Sequence, residues 1–323
     1  MTLRSTPFIF LLGLWAAQQA GTGTVTTGEV AGTLCSGAVA ACTSGLQVNA
    51  SPQVCGTITA PDGSRWPVPS DVHQGPVAVD VYNDCTGAGD NPTYLQQLKT
   101  VVVDPDGVEI TGHIFADNYY ELWVNGTFVA RDALGMTPFN STAVRFKAKY
   151  PITYAIKAVD WETHPGLGME YPQYNAGDGG FIARFSDGTV TGPDWKVETF
   201  YIAPLGDPSC VRTTNGNDSS SCPFARENGT TGGWKTPCSL ADPKTCKALH
   251  FKVPDTWMTA AFDDARWVGG TVYKPEDVTS APGYVRYAPL FSGAQFIWTR
   301  NLVLDNLVLI RHTVKAPPAA RVP

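Results

Sequence analysis

The run His113-Ile-Phe-Ala-Asp117-Asn-Tyr-Tyr120-Glu-Leu-Trp-Val-Asn125-Gly126 decides the fold class. Tyr120, Leu122 and Val124 alternate with Glu121, Trp123 and Asn125. A period of two is that of a strand, whose successive side chains point to opposite faces. The first set is expected to face the core, and Glu121 to face away from it, where its loss would matter little. Asn125-Gly126 then supplies two residues that tolerate positive φ, as a tight hairpin requires. Phe128 to Ala130 is the expected returning strand.

The same texture spreads outward in both directions. Short β-type runs occur at Val54–Ile58, Val77–Tyr82, Val101–Val103, Tyr154–Val159, Phe181–Phe185, Glu198–Ile202, Leu249–Val253, Gln295–Thr299 and Leu302–Val314. Turn sequences separate them: Pro61-Asp62-Gly63, Asp104-Pro105-Asp106-Gly107 and Ser186-Asp187-Gly188. The 323 residues include 32 Gly and 25 Pro, which leaves little room for long helices. The prediction is an all-β chain folded as an antiparallel β-sandwich of the jelly-roll kind, with a disulfide-stapled insertion and a Cys-containing amino-terminal arm.

Four regions follow. Residues 1–20 read as a signal peptide: Arg4 gives a positive start, and Pro7 to Ala17 is an apolar run too short to span a bilayer. Small residues at Ala20, Gly21 and Gly23 suit cleavage. Residues 21–97 form a Gly/Thr-rich arm and a small Cys-containing β region, 98–315 the sandwich with its insertion at 204–248, and 316–323 a tail. The chain is therefore expected to be secreted, extracellular or on a cell surface, without a transmembrane segment.

Composition excludes other classes. There are 23 Lys+Arg against 29 Asp+Glu, a net charge of −6, and no basic stripe, so nucleic acid is not an expected partner. Cys35, Cys42, Cys55 and Cys85 form one group, and Cys210, Cys222, Cys238 and Cys246 another. No CxxC and no zinc-spaced Cys/His cluster occurs, so disulfides within each group are expected and a metal site is not. Sequons stand at Asn49, Asn125, Asn140, Asn217 and Asn228, and those that carry glycans must lie on the surface.

No GxSxG, P-loop, GxGxxG or HExxH is present. His73, His113, His164, His250 and His312 have no partner at a catalytic or metal-binding spacing. Asp62, Asp104, Asp106, Asp187, Asp263 and Asp264 sit in turns, where carboxylates bond the backbone. Such turns also offer the oxygen ligands of a structural calcium, though without an EF-hand pattern; no other cofactor is implied.

The segment Trp161 to Gly180, WETHPGLGMEYPQYNAGDGG, stands out. Aromatic faces beside hydrogen-bonding side chains suit sugar rings. Trp161, Tyr171 and Tyr174 are the expected stacking residues, and Glu162, His164, Glu170 and Asp178 the expected hydroxyl-binding ones. The alternative is that these aromatics pin the loop to the sandwich.

His113–Gly126 also resembles the "DDYYELYVNG" strand and hairpin of galactose-binding-like β-sandwich domains. Three further pieces are similar and follow in order: Tyr154–Val159, then Phe185–Gly188 with Asp194–Lys196, then Phe262-Asp-Asp-Ala-Arg-Trp267. The resemblance covers about residues 98–314. It implies a jelly roll of the kind that accompanies rhamnosidases and other glycoside hydrolases, mostly non-catalytic and glycan-binding. These residues do not read as the catalytic (α/α) barrel of those enzymes, so rhamnosidase activity is not expected of them. The leading expectation is a secreted, non-catalytic carbohydrate- or cell-surface-glycan-binding protein. A structural matrix, filament or surface protein that self-associates through its arm is the alternative. A glycoside hydrolase-like enzyme is the third.

Overall fold

The Tyr119–Val124 strand is buried along its whole length, and its two faces set the layers. In the computed structural model, which describes residues 23–27, 32–34, 54–60, 63, 65–67, 73–85, 87–133, 140–160, 176, 178–226, 234–235, 242–279 and 281–316, two eight-stranded and mostly antiparallel sheets face each other. Sheet I runs in the order Thr24–Thr27, Lys247–His250, Lys196–Leu205, Asp305–Val314, Ile152–Val159, Tyr119–Val124, Thr127–Arg131, with Val268–Gly269 as an eighth strand paired to Lys196–Leu205. Sheet II runs in the order Thr271–Tyr273, Phe296–Trp298, Gly180–Phe185, Val108–Asp117, Asn140–Ala148, Val79–Asn83, Gly89–Asp90, with Thr100–Val102 as an eighth strand paired in parallel to Asn140–Ala148. The architecture is a β-sandwich.

Aromatic side chains fill the space between the sheets. Tyr154 of sheet I meets Phe185 and Phe146 of sheet II at 4.4 and 6.1 Å, and Tyr120 meets Phe181 at 6.2 Å. The Tyr120 hydroxyl shares a 2.6 Å hydrogen bond with Thr142 across the gap. Tyr120, Leu122 and Val124 are fully buried here, as the period-two pattern requires. Asn125 and Gly126 adopt φ of 50° and 82°, the two positive values of a tight hairpin turn.

The outer face of sheet I corrects one expectation. Glu121 is not on an open face: it is 2% exposed. Its carboxylate accepts from the His73 amide at 2.7 Å and the Tyr119 hydroxyl at 3.1 Å, and pairs with Lys157 at 3.3 Å. Next to it Trp123 packs edge-on against Phe128 and Trp257. Segments 73–78 and 254–267 close over this face. Within the second, Asp264 accepts from buried Arg311 at 2.8 Å, while Phe262 lies under the Arg311 guanidinium and beside Trp267. A sandwich sheet need not have one wet face when the chain supplies its own cover.

The regions on either side of position 97 are joined by pairing. Thr24–Thr27, within the expected arm, is an edge strand of sheet I against Lys247–His250, and Val79–Asn83 belongs to sheet II. The insertion leaves at Leu205 and returns at Lys247, two positions that pair with each other. It is stapled by Cys210–Cys222, a bridge inside the second cysteine group. Cys85 and Cys246 are also disulfide-bonded. Cys35, Cys42 and Cys238, the signal peptide and residues 317–323 lie outside the described residues.

Candidate functional site at the rim between the sheets

Two chain crossings meet at one rim of the sandwich. Val108–Asp117 of sheet II passes through Asn118 into Tyr119–Val124 of sheet I. Ile152–Val159 of sheet I connects, through the aromatic segment, to Gly180–Phe185 of sheet II. The crossings are tied together: the Asn118 amide donates to the Val159 carbonyl at 2.9 Å, and Gly180 pairs with Asp117. The Asp160 amide donates to Asn306 and the Gly179 amide to Leu302, so both roots of the segment are fixed to the chain around 302–306. Gly179 is required there, because a Cβ would lie 2.4 Å from the Trp298 ring. Asp117, Asn118, Asp132 and Asp160 are buried around the roots, a polar collar in an otherwise apolar sandwich.

Of the expected sugar-binding residues, Asp178 is described and stands half-buried at the carboxyl-terminal root. Trp161, Glu162, His164, Glu170, Tyr171 and Tyr174 lie outside the described residues.

Sequence reasoning missed a pair of buried carboxylates under the disulfide-stapled loop. Glu198 accepts from the Asn217 amide at 2.6 Å, and Asp305 accepts from Ser219 at 2.6 Å and from Thr299. Gly216, at φ +83°, lies so close that a Cβ would meet the Glu198 carboxylate at 2.5 Å. Desolvation pushes Glu198 up to about 8 and Asp305 up to about 7, against the hydrogen bonds that favour their charged forms. Raised carboxylates are what a general acid needs. The crevice beside them, however, encloses only about 10 Å³, room for one water at most. It admits no sugar ring, and the pair serves to fasten residues 215–219 to the sheet. The available signal was a lone acid in each of two apolar strands, Glu198 in Val-Glu-Thr-Phe-Tyr and Asp305 in Val-Leu-Asp-Asn-Leu.

The turn carboxylates have structural work. Asp104 accepts from the Lys149 amide, Asp187 from the Tyr150 and Tyr154 hydroxyls, and Asp263 from the Ala265 amide. Among the described residues no group of three or more His, Cys, Asp or Glu is placed to hold a metal ion. His250 is buried and bonds Thr26 at 2.8 Å, half-buried His312 stacks on Trp195 and His113 bonds Tyr94, while exposed His73 lies against the Phe128 ring. Burial lowers His250 to about 4.

The sequons differ in access. Asn140 is 2% exposed, and its amide nitrogen donates inward to Asp80 and Asp132, so a glycan has no outward path from it. Asn217 and Asn125 are half-buried, the first donating to the Thr199 carbonyl and the second accepting from the Thr153 amide. Asn49 and Asn228 lie outside the described residues. No protein-family model, curated protein or solved structure matches the chain.

Proposed function

We propose that this protein is an extracellular, non-catalytic β-sandwich of the galactose-binding-like kind that binds carbohydrate through the segment from Trp161 to Asp178. The observation that carries this reading is the placement of that segment's roots. They sit on different sheets at one rim, held by the Asn118–Val159 and Gly179–Leu302 hydrogen bonds. Binding residues are commonly carried on loops that a rigid scaffold positions. Three aromatics and four hydrogen-bonding residues on such a connection suit the stacked face and the hydroxyls of a sugar. The disulfides accord with an oxidising compartment.

The non-catalytic part rests on the sealed state of Glu198 and Asp305 and on the structural bonds of the turn carboxylates. The test is a glycan array probed with the secreted chain, with a turnover assay on each glycan bound. Micromolar binding without turnover is the expected result. Turnover abolished by Glu162→Gln or Glu170→Gln would replace this reading with the hydrolase.

One observation favours assembly as a second role: Thr24–Thr27 is the outermost strand of sheet I, with one edge unpaired among the described residues. Loss of self-association on deleting residues 21–50, read by sedimentation, is its test.

A further inference from the structure

A slot in the edge of sheet II points to a second ligand. The Asn140–Ala148 strand has no single neighbour on its outer side. Val79–Asn83 runs antiparallel to it as far as Ala143, and Thr100–Val102 takes over in parallel from Arg145. Where the two half-neighbours part, a cavity of about 370 Å³ opens inward. Val77 and Val79 form one wall, Leu98 and Val101 the other. Its floor is Val129 and Ala130, buried residues of sheet I, so the slot passes through one sheet and reaches the layer between them.

Protein interiors are close-packed, and voids larger than a water molecule are few. A space of this size matches small-molecule sites, which start near 300 Å³ and are mostly apolar with a few convergent polar groups. Those polar groups are at the mouth, and they are cationic. Lys99 is exposed and makes no ion pair among the described residues. The Arg145 guanidinium donates to the Leu95 carbonyl and the Thr111 hydroxyl, with Glu109 4.0 Å away on the outer side. No Asp or Glu lines the slot. In a chain of net charge −6 this is a local inversion of sign.

We infer that the slot between Val79 and Thr100 binds a small apolar carboxylate, its hydrocarbon tail seated on Val129 and Ala130 and its anionic head held by Lys99 and Arg145. A sugar would find neither an aromatic platform nor a hydrogen-bond acceptor cluster there. A neutral hydrocarbon would leave the two cations without a role. The site lies apart from the rim and stands whether or not the rim binds glycan.

Decanoate is a suitable probe, titrated by calorimetry into the full secreted chain. The expected result is saturable binding of one ligand per chain, with Kd between roughly 10 µM and 1 mM. Lys99→Glu with Arg145→Gln should weaken it about tenfold or more, and decanol should bind the wild type about tenfold more weakly than decanoate. Both side chains lie at the mouth rather than in the core, and thermal melts would confirm that the double variant is folded. No saturable binding by the folded wild type up to about 5 mM, or equal affinity in the double variant, overturns the proposal.

Discussion

The two faces of sheet I are both buried, but by different chemistry. The inner face is closed by rings and aliphatic chains: Tyr154 on Phe185, Tyr120 on Phe181, with Leu122 and Val124 between. The outer face is closed by a folded-back cover and holds charges: Glu121 with Lys157 and the His73 amide, and Arg311 with Asp264. The inner face gains from area removed from water and tolerates exchange of one hydrophobe for another of similar volume. The outer face depends on satisfied partners, since a buried charge that loses its partner is left with its full desolvation penalty. One strand therefore carries two kinds of sensitivity on alternate residues.

The inner face should yield the largest single effect. Leu122→Ala removes fully buried methyl groups and should destabilise by roughly 2–5 kcal/mol, read as a shift in denaturant midpoint at unchanged slope. Glu121→Ala comes next, at roughly 1–3 kcal/mol, because it strands Lys157 and the His73 amide. Glu121→Gln should recover part of that loss by keeping an acceptor. A Glu121→Ala variant as stable as the wild type would mean that the outer cover contributes no ordered contacts.

The pH dependence isolates the other buried acids. Glu198 ionises near 4.5 in an unfolded chain but only near 8 when folded, and Asp305 near 3.8 against 7. Their contributions are complete below the lower values and are lost as pH rises through the upper ones. His250 acts in the opposite sense: its folded value of about 4 lies below the ordinary 6.5, so its contribution is lost as pH falls from 6.5 toward 4. Above pH 6.5 the two acids act unopposed by His250, and stability should fall by on the order of 1–2 kcal/mol between pH 6.5 and 8. Glu198→Gln should flatten that limb in chemical denaturation at several pH values. A wild-type profile flat from 6.5 to 8 would show that these acids are hydrated. The smallest effect belongs to the surface: Asp106→Ala breaks an exposed pair with Lys149 and should change stability by less than about 0.5 kcal/mol.

The sandwich was legible because its inner face obeys a period of two and its hairpin carries Asn125-Gly126. What escaped was written in residues that serve two readings. Asn140–Ala148 begins Asn-Ser-Thr, a sequon on paper, yet these three are buried: Asn140 holds Asp80 and Asp132, Ser141 bonds the Gly283 carbonyl, and Thr142 meets Tyr120. The cover over Trp123 comes from residues 254–267, more than a hundred positions away, and no local pattern encodes a contact of that span. The same holds for Glu198 and Asp305, which are brought to one crevice by strands a hundred positions apart and capped by the loop at 215–219. Composition identified the aromatic segment, and topology supplied what composition lacked, namely that its roots lie on opposite sheets at one rim.

The central claim is that this segment carries the glycan site while the sandwich stands without it. The direct measurement is glycan affinity and melting temperature of the Trp161→Ala, Tyr171→Ala, Tyr174→Ala triple variant beside the wild type. Each ring stacked on a sugar is worth on the order of 1 kcal/mol, so affinity should fall by about two orders of magnitude with the melting temperature nearly unchanged. A folded triple variant that binds as tightly as the wild type would contradict the account, and so would a triple variant that fails to fold, because these rings would then be core.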